Sequence, residues 1–273
     1  MTLVGCAATP HPPIIVPEVG RERTADVAST LEAMRTLGEH VRDLDPDVIV
    51  VMSPHARIDP SRMGVSTASV CTGSLAYFGA PHVRFSLPGR PQLAEAIIGA
   101  AAERGVNSGP LSDRGGRLEL DHGCMVPLAF LVPPLAQPPA LVVLAFSYLD
   151  PSLHWRFGEA VGRALDAADE RVFYVASGDL SHRLTLDAPA GYVPRAADFD
   201  RAVVELFEAG DGKGFLDISP ALLHDAGECG YRSLVTLFGL LEGRAHTTHL
   251  LSYEGPFGVG YMVGSVELTA AAG

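Results

Sequence analysis

The sequence predicts a layered α/β fold in which a mostly buried central sheet is flanked by helices. Three observations carry that expectation. Short apolar runs rich in Val, Ile, Leu or Phe alternate along the chain with longer amphipathic stretches, the order that yields sheets covered by helices. Those apolar runs are continuous, so both faces of each strand are to be buried, as in a parallel or mixed sheet. Of the 273 residues, 47% are hydrophobic and 19% charged, which supplies a core and is the opposite of a disordered composition.

The strand-like runs are Leu3 to Ala8, Val48 to Met52, Ala140 to Phe146, Arg171 to Ala176 and Gly258 to Leu268, bounded by Pro, Gly, Asp or Ser. Between the first two, Thr24 to Leu44 repeats Val27, Leu31, Met34, Leu37 and Val41 at helical steps and stops before Asp45-Pro46. Pro91 to Arg104 opens on a proline suited to a first helical turn. Ser152 to Ala168 carries Leu153, Phe157, Val161 and Leu165, and Asp198 to Ala209 carries Phe199, Val203, Leu206 and Phe207. Tyr231 to Leu241 is apolar on one side. Ser108 to Arg117, rich in Gly and Arg, reads as a flexible loop, and Pro133 to Pro139 as a proline-punctuated connection. With no low-complexity linker or internal repeat, residues 1–273 read as one domain.

Several function classes fall away on composition. A net charge of −12, from 20 Lys+Arg against 32 Asp+Glu, argues against nucleic-acid binding through counterion release. No apolar run reaches the ~18 residues of a membrane span. Cys6, Cys71, Cys124 and Cys229 lie far apart without a CxxC pair, so neither a zinc knuckle nor a disulfide scaffold is expected. The first six residues lack the charged and apolar regions of a signal peptide, and the expected setting is the reducing cytoplasm.

The 10 histidines are informative by position. His11 follows the first strand, His55 the second and His182 the fourth. Ligands of open α/β sheets bind at the carboxyl ends of strands, so these three imidazoles are placed to converge. Pro10, Pro12, Pro13 and Pro54 stiffen the loops that carry His11 and His55, as a metal site requires. His122 sits in a turn-like context, Leu120-Asp121-His122-Gly123, whereas His40, His82, His154, His224, His246 and His249 read as structural or surface residues. Glu228, flanked by Gly227 and Gly230 before a helix, is the candidate carboxylate or else a partner of the helix dipole. Two histidines and one carboxylate with open positions suit non-haem Fe(II) chemistry with O2, and the same set also serves catalytic zinc.

Taken in order, His11-Pro12-Pro13, Ser53-Pro54-His55, Leu120-Asp121-His122-Gly123, Ser177-Gly178-Asp179-Leu180-Ser181-His182, Gly227-Glu228 and Ser252 to Tyr261 resemble the class III extradiol dioxygenase superfamily. This is the family of the LigB-type catalytic subunit of protocatechuate 4,5-dioxygenase, with Memo-like relatives. The resemblance implies that His11, His55 and Glu228 hold Fe(II), with zinc or another divalent ion as a substitute. It makes His182 the acid/base and His122 a second, substrate-side histidine. It also implies a catechol-type substrate opened with O2, and a homo-oligomer or a small accessory subunit covering the site. Memo-like relatives carry a cysteine in place of the carboxylate, and Cys229 adjoins Glu228 here. Adjacent residues point different ways, so whichever of the two faces the histidines separates a ring-cleaving enzyme from a Memo-like metal-binding or redox protein.

Overall fold

A computed structural model of the chain describes residues 2–111 and 115–269. In chain order the elements are β1 (Leu3–Thr9), α1 (Pro17–Gly20), α2 (Ala28–Leu44), β2 (Val48–Ser53), β3 (Met63–Val65), β4 (Val70–Leu75) and β5 (Ala80–Pro88). There follow α3 (Pro91–Glu103), β6 (Ser108–Pro110), β7 (Arg117–Glu119), α4 (His122–Leu131), β8 (Ala140–Ala145), α5 (Pro151–Asp166) and β9 (Val172–Ser177). The chain closes with α6 (Ala196–Ala209), α7 (Pro220–Ala226), α8 (Tyr231–Leu240), β10 (His246–Glu254) and β11 (Tyr261–Leu268).

Eight strands form the main sheet in the order β10-β11-β1-β9-β2-β8-β3-β6. Its centre, β1-β9-β2-β8, is parallel, and β11 pairs antiparallel with β1. The continuous apolar runs are explained by the layers on either side. Val48, Val50, Met52, Val172, Tyr174 and Ala176 pack into the core shared with α3, α5, α6 and α8. The alternate residues Ile49, Val51, Phe173 and Val175 pack into a second core with α2 and α4. The architecture is thus mixed α/β with a large sheet flanked by helices, as the sequence predicts.

Three differences bear on the site. His122 opens a helix: Asp121 caps α4 by accepting from the Cys124 amide, and the helix runs through Pro127. Its apolar residues surround it on all sides, so no amphipathic stripe betrays it. The segment Ser108 to Arg117 contributes β6 and the start of β7 at its two ends, and its residues 112–114 lie outside the described residues. Finally, β4, β5 and β7 form a separate small sheet in the order β5-β4-β7, which reaches the main sheet beside β8. Among the described residues no helix is long and apolar enough to cross a membrane.

Candidate metal centre

Because β1, β9 and β2 are parallel neighbours, their carboxyl ends meet at one edge. Each strand delivers its own polar residues there. Past β1 comes Pro10-His11, past β9 comes Gly178-Asp179, and β2 ends at Ser53 before Pro54-His55. His11 Nε2 lies 3.0 Å from His55 Nε2 and 3.8 Å from Cys229 Sγ. The His11 amide donates to Asp179 Oδ1 at 2.9 Å, and Asp179 Oδ2 is 3.8 Å from His11 Nε2. The His122 ring lies 4.1 Å from that of His55 and 5.3 Å from that of His11, centre to centre. Ligand atoms of His11, His55 and His122 all fall within 4.8 Å of one another, and so do those of His11, Asp179 and Cys229.

The hydrogen-bond network assigns the proton on His11. Ser177 Oγ spends its one hydrogen on the Gly123 carbonyl at 2.6 Å, so toward His11 Nδ1, 3.1 Å away, it accepts. Nδ1 therefore carries the proton and Nε2 presents a bare lone pair to the site. Burial drives the His11 pKa well below its usual value, with the neighbouring His55 and His122 adding to the effect. Burial and then His122 lower that of His55. Neutral imidazoles are the metal-binding form, and an outer hydrogen bond that fixes the tautomer is usual at metal sites. Burial also raises the proton affinity of Asp179 and of the Cys229 thiol, the latter further through Asp179. A divalent cation favours the thiolate and the carboxylate that burial disfavours. The donor set of two neutral nitrogens, a thiol and a carboxylate fits a transition-metal ion.

Glu228 is placed differently from the sequence expectation. Its side chain is only 5% exposed and turns to the start of α8. There Oε2 accepts from the Tyr231 amide at 2.6 Å, while Oε1 lies 4.0 Å from Arg232 Nη1. Burial lifts its pKa to about 7 against those two partners. Glu228 thus meets the positive end of a helix, and Cys229 faces the histidines. Asp179, to which the motif Ser177 to His182 gives no role of its own, joins them. Its carbonyl accepts from the Cys229 and Gly230 amides, and its own amide donates to Cys229 Sγ at 3.3 Å.

This meeting of two loops needs glycine. A Cβ on Gly178 would stand 2.1 Å from Gly230 Cα, a backbone contact that no rotamer relieves. Gly178→Ala is therefore expected to push the Cys229 loop away, costing about 1–3 kcal/mol as overpacking does and weakening metal binding. Thermal melts with and without metal check both effects.

His182 is half-buried, and its Nδ1 is buried with no hydrogen-bond partner among the described residues. It acts electrostatically on both His11 and Asp179 but lies outside the groups of converging ligand atoms. The loop before it is held by buried Asp200, which accepts from the Ser181 amide at 2.8 Å and the Tyr253 hydroxyl at 2.7 Å. Burial raises the Asp200 pKa to about 6 despite those bonds. A carboxyl whose folded-state pKa is raised stabilises the fold fully below its unfolded value near 3.8, and that contribution is lost as pH rises through about 6. Asp200→Asn removes this titration, so its melting temperature is expected to fall less between pH 4 and pH 6 than that of the parent.

Comparison with known proteins gives the family. Residues 5–264 match the family described as the catalytic LigB subunit of aromatic ring-opening dioxygenase. The chain is 34% identical over 98% of its length to protein CA_C1420 of Clostridium acetobutylicum, of which it spans 58%. It is 28% identical, over 72% of its length, to a 2,3-dihydroxyphenylpropionate/2,3-dihydroxicinnamic acid 1,2-dioxygenase of Mycobacterium sp., covering 63% of that protein. A 3,4-dihydroxyphenylacetate 2,3-dioxygenase of Escherichia coli is 24% identical over 77% of the chain and is 79% covered. In fold, the chain is similar to the crystal structure of the uncharacterized protein JW3007 from Escherichia coli K12. The TM-score is 0.65 at 18% identity, with 97% of this chain and 99% of the other covered. With its imidazoles gathered at the strand ends and the family match spanning nearly the whole length, the chain belongs to the family of catalytic LigB subunits of aromatic ring-opening dioxygenases.

Proposed function

We propose that this chain is a metal-dependent oxidoreductase that holds one redox-active ion, Fe(II) in the working protein, between His11, His55 and Cys229 with Asp179 beside them. In this reading it opens a catechol-type ring with O2. The observation that carries the proposal is that His11 Nε2 lies 3.0 Å from His55 Nε2 and 3.8 Å from Cys229 Sγ, where the loops after β1 and β2 meet the loop before α8. The relatives named for dihydroxyphenyl acids support the substrate class.

Bound Fe(II) supplies Lewis acidity toward a diol oxygen and a redox path to O2. The remaining roles belong to side chains. His11 is fixed in orientation by Ser177 and Asp179 and stays neutral through burial. His182 is the proposed acid/base, taking a proton from the diol and returning it to the opening ring, a task suited to imidazole. His122 lies between His55 and Phe78, whose rings are 4.1 and 5.6 Å from its own, and forms an aromatic wall on the substrate side.

One observation favours a second reading. Cys229 stands where a ring-cleaving enzyme is expected to place a carboxylate, and a thiolate shifts preference toward softer ions. That fits a Memo-like metal-binding or redox protein that keeps the pocket without opening rings. Anaerobic loading with Fe(II), followed by a catechol panel and O2, separates the two. Ring opening predicts yellow product with O2 uptake equal to diol consumed. Full iron occupancy with no product from any diol overturns it and leaves the second reading.

A further inference from the structure

Of the four edges of the two sheets, three are poor templates for further pairing. β6 is three residues long and ends in Pro110, and β7 is also three residues long. β5 contains Pro81 and Pro88, which have no amide hydrogen to donate, and it lies against β8 of the main sheet. Short strands, prolines and covered edges are common means by which proteins stop edge-to-edge association. β10 uses none of the three. It runs for nine residues at the outer end of the main sheet, with no proline, lysine or arginine. Among the described residues its backbone groups bond only to β11, in a pairing that shifts register once, between Leu250 and Ser252.

Alternate residues of an edge strand direct both N–H and C=O away from the sheet, so β10 presents a template for an added strand. Helices α2 and α6 pack against β10 and hold that template in place. Thr247, His249 and Tyr253 on it are exposed. Its composition suits pairing with itself. Antiparallel pairing about a twofold axis at Leu250 sets His246 opposite Glu254, Thr247 opposite Tyr253, Thr248 opposite Ser252 and His249 opposite Leu251. An imidazole then meets a carboxylate at each end, threonines meet a tyrosine ring and a hydroxyl, and no like charges stand directly opposite each other.

We infer that β10 is an interaction surface for β10 of a second copy of this chain, which joins the two main sheets across a twofold axis. The occupant is a second copy because strand addition needs a free edge of matching length, and every copy brings one in β10. The inference stands independently of the reaction proposed above.

Light scattering and sedimentation of the full chain over a concentration series are expected to show a dimer that dissociates on dilution. Hydrogen exchange at the amides of 246–254 is expected to slow as concentration rises. His249 stands one residue from the axis, so a charge placed there meets the same charge of the second copy on the neighbouring strand. Its ion pair with Glu267, at 3.7 Å, is exposed on both sides, so replacing His249 costs the fold little. His249→Lys and His249→Glu are each expected to shift the protein from the mass of two chains to that of one, and an equimolar mixture of the two variants to recover the dimer. A parent that is monomeric throughout the series overturns the inference. So does a dimer whose 246–254 amides exchange at the same rate at every concentration, or whose mass neither variant changes. A mixture that stays monomeric overturns it as well, since opposite charge repairs an interface and not a fold.

Discussion

His11→Ala protein is expected to emerge from metal loading without stoichiometric metal, and Glu228→Gln protein to retain it. His11 is the one residue common to both groups of converging ligand atoms, within reach of His55, His122, Asp179 and Cys229. Its removal leaves the others without the nitrogen around which they are arranged. Changing an outer-shell partner of a metal-bound histidine costs about 10–100-fold in affinity, and losing the histidine itself is expected to exceed that range. His55→Ala should behave in the same way. Glu228 provides the contrast: its carboxylate serves the Tyr231 amide and Arg232, so Gln can replace it without touching the metal. Metal analysis after gel filtration reads all three variants. Metal loss from Glu228→Gln on the scale of His11→Ala would restore the carboxylate to the ligand set.

Substitution of His182 should separate metal binding from turnover. His182→Ala is expected to keep its metal, because the imidazole lies outside the converging ligand atoms. Its rate of ring opening should fall by about 10²–10⁴, the usual contribution of a positioned acid/base. Added imidazole should restore part of the rate, since the ring nitrogen has no protein partner that fixes it. If His182→Ala loses metal as readily as His11→Ala, the division of labour proposed for the histidines is wrong.

Local signals carried much of the fold. The continuous apolar strands, the helical repeat from Leu31 to Val41 and the stop at Asp45-Pro46 depend only on near neighbours in sequence and lie in the expected elements, whereas Thr24 to Val27 form a 3-10 turn ahead of α2. The placement of His11, His55 and His182 after strands was also legible, because parallel neighbours must end at one edge. Long-range facts were not. Which of Glu228 and Cys229 faces the histidines depends on Gly178 lying against Gly230, an approach between segments some fifty positions apart. Helix α4 was hidden because burial on every side erases periodicity. The small sheet escaped because its strands are partly exposed and β7 joins β4 from far along the chain.

In the proposed centre one metal ion is held by His11, His55 and Cys229. X-ray absorption at the metal edge tests it directly on protein loaded with one equivalent of metal. A single sulfur scatterer is expected at about 2.3 Å beside nitrogen and oxygen neighbours at about 2.0–2.2 Å, with the sulfur lost in Cys229→Ser. A first shell of nitrogen and oxygen alone in the parent, or a sulfur signal that persists in Cys229→Ser, would contradict it.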